Sequence, residues 1–366
     1  MQDASGSELA GPDGADEGAL RATDAMLDAR LLRGPATMGR REVSRGADVS
    51  LMSAQKFWHA LGFPIIRDEA VRFTDADLDA LRRIAHLVRD GSVVEETALA
   101  MTRALARTTD RLAVWQTQLM AEAMSPVVDD DATAERSSGP EQTNLEVTSA
   151  AAIRLVDLAD ELEPLLVYAW RRHLKAAVAR MLSDAAGDDT ASAPVRVVGF
   201  ADLVNFTSHV RRMTERQLAS MVQRFESLAS DVVTAHGGRV IKTVGDEVLF
   251  VHRQVSPAAA IAIDLVETMR DDTLLPSVRV GMASGPVVSR LGDVFGTTVN
   301  RAARLTSVTP PDRVFVDDAL ARRLAATSGF DLAPQRRRSL RGIGSVIPSE
   351  LTRAGVRRER PSGATS

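Results

Sequence analysis

The chain has 366 residues, with 45 lysines and arginines against 49 aspartates and glutamates, no cysteine and a formal net charge of −4. A length of this order predicts about two domains. The lack of cysteine excludes disulfides, zinc fingers and thiol nucleophiles, and the net negative charge argues against a polybasic nucleic-acid or membrane binder. No apolar run is long enough to span a bilayer, and the first 20 residues contain acidic but no basic side chains, unlike a signal peptide. We therefore expect a cytoplasmic protein.

The first half of the chain is predicted to be helical. Residues 1–18 are rich in Gly, Ala, Asp and Ser and are predicted to be a disordered leader, followed by a helical domain over 19–185. Residues of about 40–90 suggest a helix–turn–helix arrangement, with a break at 46–49 and a cap at Ser50 or Ser53. A further helix is predicted after a Thr74 cap. Helical periodicity continues over 95–124. An acidic linker is predicted over 125–145, and a long helix over about 147–182.

The second half changes to an α+β pattern. A linker over 186–194 precedes short β-branched runs that alternate with helical stretches from residue 195 to about 356, and residues 357–366 form a tail. The order strand, helix, hairpin, helix, strand is the βαββαβ order of a ferredoxin-like sandwich. The predicted fold class is therefore α+β, with an all-α domain preceding a ferredoxin-like domain.

Two aspartates are predicted to meet at one rim of this sheet. Phe200 and Asp202 lie on one face at the end of the first strand, and the Gly245-Asp246 turn predicts a hairpin whose tip carries the second carboxylate. Two carboxylates at a sheet rim suit divalent cations that are shared with a polyphosphate. The segment from Leu203 to Thr207 leads into a helix and is predicted to offer backbone N–H groups to phosphate. Taken singly, each aspartate is more often a solvated cap or a turn residue.

A third segment supplies an amide and a guanidinium. Thr297 or Thr298 is predicted to cap a helix in which Asn300 and Arg304, four residues apart, share a face. Such a pair can orient a ribose and neutralise charge on a transferred phosphate. An Asn/Arg pair alone is more commonly a solvated helix face.

Together the motifs GFADLVNFT, IKTVGDEVLF and GDVFGTTVNRAARL resemble those of the class III nucleotidyl cyclases, over about residues 195–355. The resemblance implies that Asp202 and Asp246 bind two divalent cations, Mg or Mn, that Lys242 and Asp293 read the purine, and that Asn300 and Arg304 act on the ribose and the phosphates. The predicted metal set is Asp202, Asp246 and Leu203, and the predicted substrate contacts are Lys242, Asp293, Phe200, Leu203, Asn205, Phe206 and Thr207.

The residue types at the purine positions favour adenine. Adenine presents an acceptor at N1 and a donor at its exocyclic amine, so a Lys donor beside an Asp acceptor complements it, whereas guanine reverses both. Lys242 is one of only three lysines in a chain that otherwise uses arginine. The implied reaction converts ATP to 3′,5′-cyclic AMP and pyrophosphate, and a guanylate cyclase is the alternative. In the family, a homodimer shares its active sites across the interface.

The helical half permits two interpretations. Residues 41–90 resemble the DNA-binding segment of MerR-type regulators, but the second helix offers only Gln55, Lys56 and His59 toward a groove, so nucleic-acid binding is the less favoured alternative. The layout also resembles the N-terminal regulatory domains of cytosolic actinobacterial adenylyl cyclases, some of them pH-responsive and autoinhibited. His59, His86 and His173 are therefore candidate proton sensors. His209 and His236 receive no role.

Overall fold

The computed structural model describes residues 25–63, 71–124, 140–186, 193–290 and 292–355. The predicted leader 1–18 and tail 357–366 lie outside these residues, as do most of the two predicted linkers. The chain divides into two compact units, Met1–Ala177 and Val178–Ser366. No helix in the described ranges has the length and apolar character needed to cross a membrane.

The N-terminal unit is mainly helical. Its elements are α1 (25–31), β1 (Met38–Gly39), α2 (Arg40–Gly46), α3 (Leu51–Leu61), β2 (Val71–Phe73), α4 (Asp75–Arg89), α5 (Glu95–Met124) and most of α6 (Pro140–Ala186). Ser50 caps α3 and Thr74 caps α4, as predicted, by accepting bonds from the backbone N–H groups of Ser53 and Asp77. The short antiparallel pair of β1 and β2 was not predicted.

A small core holds α2, α3 and α4 together. Trp58 stacks on Phe73 with ring centroids 4.4 Å apart, and Val43, Phe57 and Leu81 are buried beside them. The apolar side chains of α5 and α6 are different, because many of them remain exposed within the chain, including Trp115 at 47% and Trp170 at 56%. Helical spacing predicted apolar faces here, and the described residues leave these faces largely uncovered.

The last turns of α6 belong to the C-terminal unit. The division of the chain after residue 177 falls before the predicted domain boundary at 185. Asp184 explains the difference, because it forms ion pairs with Arg196 at 2.5 Å and Arg253 at 3.3 Å, and Arg253 also bonds to Ser183. Residues before the predicted linker are thereby tied to the sheet that follows it.

The C-terminal unit contains the predicted ferredoxin-like core. Strand β3 (Val195–Leu203) is followed by the short α7 (Phe206–Val210), α8 (Glu215–Ala235), β4 (Arg239–Val244), β5 (Glu247–His252), α9 (Val255–Arg270) and β6 (Val278–Pro286). The strands lie in the order β6-β3-β5-β4, and all three pairings are antiparallel. This order is the one that a βαββαβ unit adopts when both of its crossovers are right-handed, with its helices on one face.

Three further strands widen the sheet beyond this core. They are β9 (Val314–Val316), which runs parallel to β6, then β13 (Ser349–Arg353) and β10 (Phe330–Pro334). The remaining elements are β7 (Val288–Arg290), β8 (Asp293–Phe295), α10 (Thr297–Val308), α11 (Asp318–Leu324), β11 (Arg338–Leu340) and β12 (Gly344–Val346). The RRSLRGIGSV segment forms the separate β11–β12 hairpin, and the main sheet receives β13.

The two faces of the sheet are covered differently. Helices α8 and α9 bury one face in a large core that includes Phe225, Phe250 and Ile261. On the other face α10 packs over β3 and β6, around Val198, Phe200 and Ala302. Helix α10 approaches β6 so closely that a Cβ at Gly281 would lie 2.2 Å from the Thr306 nitrogen. This close packing fixes the position of α10 over β6, the neighbour of the strand that carries Asp202.

Candidate active site

An acidic rim forms where β3 ends beside the β4–β5 turn. Asp202 is directly opposite Glu247 in the β3–β5 pairing, and the Leu203 N–H donates to the Asp246 carbonyl at 3.0 Å. The two-residue Gly245-Asp246 loop therefore places its aspartate next to the end of β3, as the hairpin signal predicts. Glu247, which the sequence analysis did not single out, adds a third carboxylate.

Burial and mutual repulsion set the electrostatics of this rim. Burial raises the pKa of Asp202, hydrogen bonds and charge from Arg279 act in the opposite direction, and nearby Asp246 raises it further. Burial, Asp202 and Asp246 likewise raise the pKa of Glu247. Carboxylate oxygens are the donors that Mg²⁺ and Mn²⁺ prefer. Among the described residues, however, no three His, Asp or Glu side chains are arranged as a group that could hold a metal ion.

The neighbouring predicted contacts divide into buried and exposed residues. Phe200 is only 7% exposed and Leu203 only 1%, so their side chains support the rim from the core. The N–H groups of Leu203 and Val204 donate to Asp246 and Ser277, and they are not free for phosphate as the sequence analysis proposed. Asn205 adopts a left-handed conformation before the short α7, in which Phe206 is half-buried and Thr207 is exposed.

A second cluster joins the two predicted purine-reading residues. Lys242 on β4 donates to Asp293 at the start of β8, with 2.7 Å between Nζ and Oδ2. Asp293 also accepts from the Val294 N–H at 2.8 Å, and the bond from Lys242 is the main cause of its lowered pKa. Arg239 donates to the Gly292 carbonyl in the same turn at 3.2 Å. The pair is therefore assembled within one chain.

Helix α10 presents the third set. Asn300 and Arg304 are both exposed on it, one turn apart, as predicted. Neither side chain forms a hydrogen bond or ion pair with the described residues. The predicted cap is wrong, because Gly296 is the N-cap and no side chain caps the helix. Gly296 has φ 133, which suits glycine, and the Thr298 hydroxyl donates to the Pro286 carbonyl instead.

The acidic rim and the purine pair lie apart on the same sheet face. Lys242 is in register with Leu249, which is in register with Phe200, two residues before Asp202. From the strand rise and spacing, the Cα atoms of Lys242 and Asp202 are about 12 Å apart. One chain thus has its carboxylates at one place on the sheet and the Lys–Asp pair at another.

Comparison with known proteins identifies the family. The "Adenylate and Guanylate cyclase catalytic domain" family matches residues 191–351. A protein of Glutamicibacter nicotianae named "Adenylate cyclase" is 40% identical over 91% of this chain and 83% of its own length. The chain belongs to the class III nucleotidyl cyclases.

Two further relatives match over most of their own length. A Streptomyces coelicolor protein, also named "Adenylate cyclase", is 40% identical over 93% of this chain and 92% of its own. A Mycobacterium tuberculosis protein named "pH-sensitive adenylate cyclase" is 30% identical over 88% of this chain and 80% of its own. These matches extend well beyond residues 191–351, so the likeness includes the helical half of this cyclase.

Sequence reasoning missed the closest neighbour of Asp202. Arg279 of β6 is directly opposite Asp202, and its Nε and Nη2 atoms lie 2.7 and 2.6 Å from Asp202 Oδ2. No local motif marks this arginine, because its position depends on the register of two strands that are 77 residues apart. Alternation along β6 would have placed it on the same face once that register was known.

The second helix of the helix–turn–helix-like segment of this cyclase carries one lysine. Lys56, the single lysine of α3, forms an ion pair with Glu95 at 3.0 Å, and Met52 is 69% exposed on the same helix.

The three candidate sensor histidines, His59, His86 and His173, are all exposed. His236, which received no role, is held more firmly, because its Nε2 lies 2.6 Å from Asp264 Oδ2.

Proposed function

We propose that the chain is an adenylate cyclase that converts ATP to 3′,5′-cyclic AMP and pyrophosphate in the cytoplasm. The observation that carries this proposal is the Lys242–Asp293 pair, with 2.7 Å between Nζ and Oδ2. An ammonium group has three donors, so Lys242 keeps donors for adenine N1 while Asp293 keeps acceptor capacity for the exocyclic amine. The names of the relatives at 40% identity support the same substrate.

Asp202 and Asp246 would hold two divalent cations, Mg or Mn, with the backbone of Leu203 beside them. When bound, such cations lower the pKa of the ribose 3′-hydroxyl and neutralise the triphosphate. Asn300 would orient the ribose, and Arg304 would neutralise charge that develops on the α-phosphate. Their free, exposed side chains on one face of α10 support this division of roles.

We infer that the active sites are shared between two copies of the chain. The acidic rim and the purine pair are separate clusters, and Asn300 and Arg304 bond to neither within the described residues. Val288 and Phe295, a cross-strand pair beside Asp293, are 56% and 50% exposed and offer an apolar contact surface. The exposed apolar faces of α5 and α6 also suit a second copy.

The N-terminal unit would regulate the reaction through autoinhibition that responds to pH. The relative named as pH-sensitive supports this assignment, since it aligns with 88% of the chain. The DNA-binding alternative is less favoured, because the single lysine of α3 is already paired with Glu95.

The direct test is a turnover assay on the full-length chain, with ATP or GTP and with Mg²⁺ or Mn²⁺. Formation of cyclic AMP from ATP, with GTP used poorly, is the expected outcome. A preference for GTP would overturn the assignment of Lys242 and Asp293, and a lack of turnover with either nucleotide and either metal would overturn the proposed activity.

A further inference from the structure

Asp202 already has a cationic partner inside the protein. Two guanidinium nitrogens of Arg279, Nε and Nη2, contact the same carboxylate oxygen, Oδ2, at 2.7 and 2.6 Å. The side chains of Asp202 and Arg279 are 17% and 29% exposed, so the contact is largely withdrawn from water. A charge-assisted pair of this length is stronger than a neutral hydrogen bond.

The charge balance of the rim explains why a cation is needed there. Asp202 and Glu247 face each other across β3 and β5, and Asp246 adjoins them at the turn. Arg279 is the cation bonded to this carboxylate group within the described residues. A carboxylate cluster without a counter-charge is unfavourable. Arg279 supplies that charge from β6, which pairs with β3 on the side away from β5.

We propose that Arg279 is a counter-cation that holds Asp202 while the metal site is empty. A divalent cation must displace the Arg279 guanidinium from Oδ2 before it can bind there. The inference rests on the proposed metal role of Asp202. Arg279 then acts as a positioning residue that lowers the metal affinity of the free enzyme. Two cations that approach one carboxylate repel each other, so removing the guanidinium strengthens metal binding.

A second contact shows what holds the guanidinium in place. Arg279 Nη1 donates to the Ser307 carbonyl in the last turn of α10, at 3.4 Å. The side chain therefore connects Asp202 to the helix that carries Asn300 and Arg304. Displacement from Asp202 changes a contact of that helix as well.

The experiment measures Mn²⁺ binding to the full-length chain without nucleotide, by the electron paramagnetic resonance signal of free Mn²⁺. Arg279→Gln is expected to bind Mn²⁺ about tenfold more tightly than the unmodified chain, because it removes the competing charge. Arg279→Lys keeps the charge but has one nitrogen in place of the Nε and Nη2 pair that contacts Oδ2, so its affinity should fall between the two. Arg313→Gln, which removes an ion pair with Glu350 elsewhere in the unit, is the matched control and should leave the affinity unchanged.

Thermal melting gives a second readout that does not depend on activity. With a chelator present, Arg279→Gln should melt below the unmodified chain, and saturating Mn²⁺ should raise its melting temperature by more than it raises that of the unmodified chain. If Arg279→Gln does not fold, Arg279→Lys decides the question, and equal or weaker Mn²⁺ binding by that variant would overturn the proposal.

Asp202→Asn separates the two possible failures. If this variant binds Mn²⁺ as well as the unmodified chain does, the metal role of Asp202 is wrong, and the proposal for Arg279 is wrong with it. If Asp202→Asn loses binding while Arg279→Gln binds no more tightly than the unmodified chain, the metal site stands and the counter-cation role of Arg279 is overturned.

Discussion

Lys242 and Asp293 are 51 positions apart in the sequence, yet Nζ and Oδ2 lie 2.7 Å apart. Strand β4 supplies the lysine and the β7–β8 hairpin supplies the aspartate. The pair exists without ligand in the same chain, so its donor and acceptor do not have to be brought together by the nucleotide. If the pair reads the base as proposed, such preorganisation would lower the cost of recognising it.

Exchange of the purine pair is the first test of specificity. Replacing Lys242 by Glu and Asp293 by Cys should reduce the preference for ATP about tenfold or more, since each unmatched buried polar group costs about 1–3 kcal/mol. The ratio of kcat/KM for ATP and GTP is the measurement. Lys175→Glu, a charge reversal at an exposed lysine of α6, is the control and should leave the ratio unchanged.

Complementation tests the shared active site. Asp202→Ala and Asn300→Ala should each be nearly inactive, because each removes one function from both sites of a symmetric dimer. Mixing the two should restore activity, because a mixed dimer has one site with both residues intact. The control is the chain that carries both Asp202→Ala and Asn300→Ala, because neither site of its dimer has these residues intact. A mixture that stays inactive although its subunits exchange would contradict the shared arrangement.

The contact between Asp184 and Arg196 predicts a stability effect outside the active site. Asp184→Asn should destabilise the C-terminal unit by about 1–2 kcal/mol, because it removes the charged partner of Arg196 and Arg253. For a unit of this size the melting temperature should fall by about 3–6 °C. Asp318→Asn removes an ion pair between side chains that are 74% and 78% exposed, and should have little effect. Equal melting temperatures for the two variants would show that the Asp184 contacts contribute nothing.

The raised pKa of Asp202 predicts how stability depends on pH. Because burial raises this pKa above the unfolded value of 3.8, the folded state disfavours the ionised form. Asp202 therefore costs stability at neutral pH, and that cost disappears as the pH falls through the raised pKa toward 3.8. With a chelator present, the melting temperature of Asp202→Asn relative to that of the unmodified chain should therefore be higher at neutral pH than in acid. A melting temperature of Asp202→Asn that rises relative to that of the unmodified chain as the pH falls would contradict this direction.

Removal of residues 1–177 tests control by the N-terminal unit. The cut preserves Asp184 and its two arginine partners, so the sheet keeps these contacts. We expect an altered basal rate and a flatter pH–rate profile than in the full-length chain. Circular dichroism serves as the control for folding of the shortened chain, and identical pH profiles for the two proteins would contradict regulation by this unit.

Local signals predicted several features of both units. The caps at Ser50 and Thr74, the Gly245-Asp246 hairpin and the βαββαβ order of elements all follow from short-range patterns, and the structure contains them. Features that depend on distant pairing were not predictable in this way. The position of Arg279 depends on the β3–β6 register, and Asp184 joins the sheet through strand positions that no motif near it reveals.

The helix start at Gly296 shows another limit of local reasoning. Threonine commonly caps helices, so Thr297 and Thr298 were reasonable expectations. The structure uses the Thr298 hydroxyl to bond the Pro286 carbonyl at 2.8 Å, which anchors α10 to the end of β6. A tertiary bond outcompetes the local cap here, and only the packing of α10 on the sheet decides between them.

The bridge from Asp202 through Arg279 to Ser307 has a consequence for an enzyme with two shared sites. In such a dimer the Asp202 of one chain serves one site, whereas α10 of that same chain serves the other. Arg279 contacts both elements, at 2.6 Å and 3.4 Å. Metal binding at the first site would then weaken a contact of α10, the helix that serves the second site. The two sites would therefore not bind metal independently. A Hill coefficient for Mn²⁺ that differs from one in the unmodified chain, and returns toward one in Arg279→Gln, would be the signature of this communication.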